Sequence, residues 1–146
     1  MPEYKAPLRD MKFVMQELLD CDSHYQKLGY EDASLDMVDA ILAEAAKFTE
    51  QVIAPLNQIG DQQGCRFENG EVTTPDGFKE AFQQYQDGGW PGLVGEPEYG
   101  AQNMPPSMGL LMSEIVGTAN WAFGMYPGLS SGAINCIRAH CTPEQK

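Results

Sequence analysis

The sequence predicts an all-α protein, a helical bundle of about five helices, and three observations carry that expectation. Apolar residues recur at three- and four-residue intervals through most of the chain, the spacing that places them on one face of a helix. No stretch of strand length alternates apolar with polar residues, so no sheet is foreseen. The one strong signal for a tight reversal, Asn69-Gly70, is flanked only by Arg66-Phe67 and Val72-Thr73, enough for a small hairpin or ordered loop.

Pro7 to Leu19 reads as the first helix, with Met11, Val14, Met15, Leu18 and Leu19 as its apolar stripe. Asp20 to Tyr30 is polar, contains Gly29 and reads as a connector. Ser34 is placed to cap the second helix, whose core face runs Val38, Ile41, Leu42, Ala45, Val52 and Leu56. Pro55 should kink or end it, since proline has no N–H to donate and its ring crowds the preceding turn. Thr74-Pro75 suits the start of the third helix, with Phe78, Ala81, Phe82 and Tyr85 inward and Gly88-Gly89 as its stop. The Gly- and Pro-rich stretch Trp90 to Pro106 is expected to be an irregular but ordered loop, anchored by Trp90, Leu93, Val94 and Tyr99. The fourth helix spans about Ser107 to Ala119, and the fifth about Pro127 to His140, carrying Leu129, Ala133, Ile134 and Ile137. Thr142-Pro143-Glu144-Gln145 has the pattern of a further helix start. The chain is therefore expected to be truncated at its C-terminal end.

Composition excludes several classes. The 146 residues suffice for one domain with a real core. A net charge of −12 repels phosphate backbones, which disfavours nucleic acid as a partner. No run of about 20 apolar residues exists to span a membrane. The first residues lack the basic-then-apolar pattern of a secretory signal, so a cytoplasmic protein is expected. Cys21, Cys65, Cys136 and Cys141 form no C-x-x-C pair, and neither His24 nor His140 completes a zinc set. His140 beside Cys141 does not make a nucleophile pair, because adjacent helical residues point apart. No metal site is foreseen.

Three segments, in order, carry a resemblance. Gly88-Gly89-Trp90-Pro91-Gly92-Leu93 followed by Glu96-Pro97-Glu98-Tyr99-Gly100, then Ser113-Glu114, then Thr142-Pro143-Glu144-Gln145-Lys146, together resemble the N-terminal domain of flavin-dependent acyl-CoA dehydrogenases. Ala101 stands where that family usually has a second glycine, and Cys141 where it has glycine before the threonine. The segment 1–32, an extension with one helix, is similar to the longer branch that includes 3-(methylthio)propanoyl-CoA dehydrogenases. Residues 33–146 then correspond to an incomplete N-terminal helical domain, with the β and C-terminal helical domains absent.

The resemblance implies an oxidoreductase that takes an α proton and a β hydride from an acyl-CoA thioester. FAD would serve the intact enzyme, with none expected in this chain. An electron-acceptor flavoprotein and a homo-oligomeric assembly are the implied partners. The catalytic base is expected beyond Lys146, and Glu98 and Glu114 read as structural groups, so the chain alone is expected to be inactive. Aligned backward from Thr142, Met125, Gly128, Leu129 and Gly132 stand where family members line the acyl pocket; small residues leave volume and Met offers a soft apolar contact. Gly128 and Gly132, four apart, equally suit close helix packing. The competing reading is a non-enzymatic helical module that binds an acyl chain or a partner helix. No Asp, Glu, Lys or Arg occurs between Glu114 and Arg138, so an exposed apolar patch is expected over Trp121 to Ile137.

Overall fold

Among the described residues, 3–146 of this computed structural model, the molecule is helical apart from one two-stranded hairpin. An N-terminal strap leads into α1 (Leu8–Lys12), which continues as a π-helical segment, Phe13–Leu18. Met11 and Met15 are buried, but Val14, Leu18 and Leu19 are exposed. The widened turns swing half of the expected stripe away from the core, because a 3.6-residue period no longer holds there. The expected connector contains a helix, α2 (Cys21–Lys27). Its polar sequence gave no stripe to read: Tyr25 alone is buried, its hydroxyl paired with Ser107.

The long helix starts as foreseen. The Ser34 hydroxyl accepts the Met37 N–H at 3.3 Å and opens α3 (Leu35–Phe48), which buries Val38, Leu42, Ala45 and Ala46. Pro55 does not end it. A π-turn at Thr49–Ile53, in which the Ala54 N–H reaches the Thr49 carbonyl, inserts an extra residue just before the proline and relieves the crowding that its ring would cause. The chain then runs on as α4 (Ala54–Gln63).

The reversal is a hairpin, β1 (Arg66–Glu68) and β2 (Glu71–Thr73), antiparallel with Phe67 opposite Val72. Asn69 at φ 52° and Gly70 at φ 85° give the turn its two left-handed residues, which match the twist of the flanking strands. The next helix, α5 (Phe78–Asp87), begins three residues after the expected Pro75. Gly77 precedes it at φ 83°, where a Cβ would also sit 2.8 Å from Leu56 Cδ2. Two 3-10 turns, Trp90–Gly92 and Pro97–Tyr99, order the Gly- and Pro-rich loop. Leu93 is its buried anchor, whereas Tyr99 is exposed.

α6 (Pro106–Ala119) and α7 (Trp121–His140) follow, separated by Asn120 alone. α7 starts six residues before the expected Pro127, which sits inside it as a tolerated interruption. Thr142 to Gln145 makes one reciprocal turn: the Gln145 side chain accepts the Thr142 N–H at 3.1 Å, and the Gln145 N–H reaches the Thr142 carbonyl at 3.0 Å, the capping-box bond expected of that pattern. The core gathers on Phe123, fully buried among Phe78, Phe82, Tyr85 and Tyr126 with ring centroids 6.0–6.3 Å apart.

Removing that ring leaves a cavity in the middle of the bundle. Phe123→Ala is expected to lower unfolding free energy by about 3–5 kcal/mol. Leu129→Ala, at a side chain 71% exposed, should change it by less than about 0.5 kcal/mol. Urea denaturation of the two variants checks the contrast.

The strap is held by polar contacts. The Tyr4 hydroxyl donates to the Ile115 carbonyl, and Glu50 in the π-turn receives both the Ala6 N–H and Lys5 Nζ, each at 3.0 Å. The Ala6 N–H and then Lys5 hold the Glu50 carboxyl below its ordinary range. A depressed carboxylate contributes attachment above its unfolded pKa and loses it as pH falls through the folded value. Protection of the Ala6 amide from hydrogen exchange should therefore fall as pH drops below about 4.5, and in Glu50→Gln it should be low and flat with pH.

Candidate functional site

α6 and α7 diverge from Asn120 and leave a cleft between them, closed on one side by the loop after α5. The cleft has a volume of about 350 Å³. Near the apex its walls are Val116 of α6 and Gly124 of α7; further out they are Met112 and Ser113 against Pro127, Gly128 and Ser131. Ile134, Asn135 and Arg138 lie at the far end, with Trp90, Leu93 and Val94 from the loop. The helices approach closely because neither carries a side chain at the crossing: a Cβ on Gly124 would lie 3.6 Å from Gly117 Cα. Tyr85 closes the floor, and burial pushes its hydroxyl up to about 12, so it remains a neutral donor. Across the far end, Arg138 Nε donates to Glu96 Oε1 at 3.0 Å and Nη2 donates to the same oxygen. That bond holds the Glu96 carboxyl below its ordinary range and ties the loop to α7.

The four residues singled out in the sequence do not all face this cleft. Gly128 lines it, while Met125 and Leu129 project from the neighbouring face of α7, 44% and 71% exposed. Gly132 lies on that outer face as well, and a Cβ on either Gly128 or Gly132 would meet nothing within 4 Å. Close packing within this chain therefore does not explain these two glycines. Successive residues on a helix advance by about 100°, so Gly124, Gly128 and Gly132 shift by about 40° each. They trace a side-chain-free path from the cleft onto the outer face. Gly124, Ile134 and Arg138 were missed in the sequence. The i, i+4, i+8 glycine spacing was a readable signal for the first, but nothing local links Arg138 to Glu96.

The outer face is apolar and uncharged. Trp121 is 68% exposed beside Met125 and Leu129, and the nearest charged residues in sequence are Glu114 and Arg138. Neither Glu98 nor Glu114 lines the cleft. Among the described residues, no group of three or more His, Cys, Asp or Glu side chains can hold a metal ion. No described helix is long and apolar enough to cross a membrane.

Residues 36–146 match the family described as acyl-CoA dehydrogenase, N-terminal domain. The chain belongs to that family. It is 37% identical over 143 residues to 3-methylmercaptopropionyl-CoA dehydrogenase of Ruegeria pomeroyi, covering 98% of this chain and 24% of the relative. Butyryl-CoA dehydrogenase of Syntrophomonas wolfei is 28% identical over 151 residues, covering 98% and 24%. A broad-specificity linear acyl-CoA dehydrogenase of Mycobacterium tuberculosis is 26% identical over 148 residues, covering 100% and 24%. The chain thus spans about a quarter of the length of the curated relatives it matches. The all-α architecture of this acyl-CoA dehydrogenase N-terminal domain agrees with the fold class read from its sequence.

An uncharged apolar face of this kind should take up a neutral hydrophobic dye. Nile red emission in the presence of the domain is expected to fall by at least about half in the double variant Trp121→Glu, Leu129→Glu. Unchanged emission would place the dye elsewhere, for example on the exposed Phe67 and Val72 of the hairpin.

Proposed function

We propose that this chain is the acyl-pocket wall of an FAD-dependent acyl-CoA dehydrogenase, with the acyl chain lying along α7. The relatives are named for acting on 3-methylmercaptopropionyl-CoA, butyryl-CoA and linear acyl-CoA substrates, all acyl thioesters. The observation that carries the reading is the glycine path from the outer face of α7 into the cleft. With no side chain at Gly128, an alkyl chain resting on Met125 and Leu129 has an open course toward Met112, Val116 and Ile134. Such a wall binds by excluding water from methylene groups, at about 25 cal/mol per Å² of apolar surface covered. It also fixes the direction in which the thioester enters.

The neutral, apolar chemistry of the α7 face suits an alkyl chain and not the diphosphate of a flavin nucleotide, so no contact with FAD is assigned to it. When bound, the flavin supplies the acceptor for the β hydride. In this reading the α proton is taken by a carboxylate outside the chain, since neither Glu98 nor Glu114 borders the cleft. The chain's own work is orientation and desolvation of the alkyl part. An electron-acceptor flavoprotein and a homo-oligomeric assembly belong to the same proposal.

The test is chain-length dependence in the enzyme that contains this domain. Gly128→Leu should block the path into the cleft and penalise longer acyl-CoA substrates most, with each methylene denied its place costing roughly 1–3 kcal/mol in kcat/KM. Gly132→Leu, further out on the face, should affect shorter chains as well. A loss equal at all lengths would show that these glycines serve helix packing against another part of the protein and do not border the substrate.

A further inference from the structure

The two walls of the cleft meet at a single residue, and that residue is built for more than a turn. Asn120 is fully buried and is the only residue between α6 and α7. Its Oδ1 accepts the Phe123 N–H at 3.1 Å, capping α7, while Nδ2 donates to the Ile53 carbonyl at 3.3 Å. We infer that Asn120 is a positioning residue. By holding both bonds at once, its amide sets the angle between α6 and α7, and so the width of the cleft and the length of chain it admits. Only the last clause rests on the acyl-wall reading.

Several observations converge on this junction. The Ile53 carbonyl belongs to the π-turn Thr49–Ile53, which packs against α6. At the start of that turn the Thr49 hydroxyl is fully buried and has no hydrogen-bond partner among the described residues. An orphaned buried hydroxyl is unfavourable, and such local costs gather where geometry is constrained for a purpose. The Gly117–Gly124 approach beside Asn120 is close, with the Trp121 ring of α7 lying against Gly117 of α6. That contact fixes how near the two helices come, while the Asn120 bonds fix where α7 begins relative to the π-turn. At the far end the half-buried Arg138–Glu96 pair ties α7 to the loop after α5 and not to α6. The bonds that link the start of α7 to the turn packed on α6 are therefore those of Asn120 at the apex.

Leverage makes a small change there matter. Ser131 lies about 16 Å along α7 from Asn120, so a rotation of about 5° at the apex moves the cleft wall by roughly 1.4 Å. That is the scale on which a pocket admits or refuses a methylene. An amide is needed because the position must accept from one backbone and donate to another; serine keeps the cap but does not reach Ile53, and aspartate keeps the shape but cannot donate.

Residual dipolar couplings on this chain measure the angle directly. Asn120→Ser is expected to stay helical, because serine caps α7, while the α6–α7 angle shifts by about 5° or more and backbone shifts change at Val116, Ser131 and Ile134. If Asn120→Ser does not fold, Asn120→Asp at neutral pH, where the ionised carboxylate still caps α7 but cannot donate to the Ile53 carbonyl, serves as the second variant. On the same proteins, binding of S-acyl-pantetheine probes with four-, eight- and twelve-carbon chains should show the twelve-to-four affinity ratio changing at least about fivefold. A lower melting temperature with an unchanged angle would overturn the inference and leave Asn120 a stabilising cap. A changed angle with an unchanged ratio would overturn the specificity clause. Failure of the unsubstituted chain to bind any probe would count against the acyl-wall reading, and the angle would still decide the role of Asn120.

Discussion

The packing of α7 depends on how its first turn is satisfied. A helix of 20 residues reached through a one-residue link begins with backbone N–H groups that have no intrahelical partner, and that of Phe123 belongs to a fully buried residue, where an unmet donor costs about 1–3 kcal/mol. The Asn120 amide answers the Phe123 N–H, and the same bond delivers the Phe123 ring into the aromatic cluster. With that ring seated between α5 and the rest of α7, the azimuth of the helix is defined. One arc then faces the cleft, a second packs on Phe78, Phe82 and Tyr85, and the third, carrying Trp121, Met125 and Leu129, is left outward. The division of α7 into three faces is a consequence of one cap.

Much of the architecture was legible because it rests on local chemistry. The Ser34 cap, the Asn69-Gly70 hairpin, the Gly88-Gly89 stop and the Thr142–Gln145 turn are each decided by residues within a few positions of one another. The misread elements fail for a shared reason: their geometry is set by partners far along the chain. α2 is held by Tyr25 against Ser107, a contact that polar neighbours in sequence do not announce. Pro55 was read as a kink or an end, and the widened turn just before it leaves no compositional trace. The start of α7 was placed at about Pro127; the true cap, Asn120, is tied to a carbonyl 67 residues away. For the candidate site the position of Gly128 on the cleft was reachable from sequence, whereas the loop wall and the Arg138–Glu96 tie required the fold.

Charge is distributed so that the site is left alone. The chain carries a net −12, yet the 23-residue interval from Ile115 to Ile137 contains no ionisable Asp, Glu, Lys or Arg. The acidic side chains are scattered over the strap, the other helices, the loops and the hairpin. A neutral strip inside a strongly anionic surface lowers the desolvation penalty for whatever covers it, because no charge has to be stripped of water. It also means that long-range repulsion acts on an anionic ligand such as an acyl thioester of coenzyme A at its phosphates, not at its alkyl chain.

The composition of α7 argues in the same direction. Three glycines and a proline inside one helix disfavour it, relative to alanine, by about 1 kcal/mol per glycine and about 3 for the proline. Gly124 has a structural return, because it lets α6 and α7 approach at Gly117. Pro127 forms part of the cleft wall, and its carbonyl accepts the Ser131 hydroxyl at 3.0 Å. Gly128 and Gly132 have no such return within this chain: open space surrounds the position of a Cβ on each, and alanine there would strengthen the helix without a clash. Stability of the helix alone would favour replacing them. Their presence fits a face whose value lies in what is laid against it, which in the proposed reading is an alkyl chain following the path from Gly132 to Gly124.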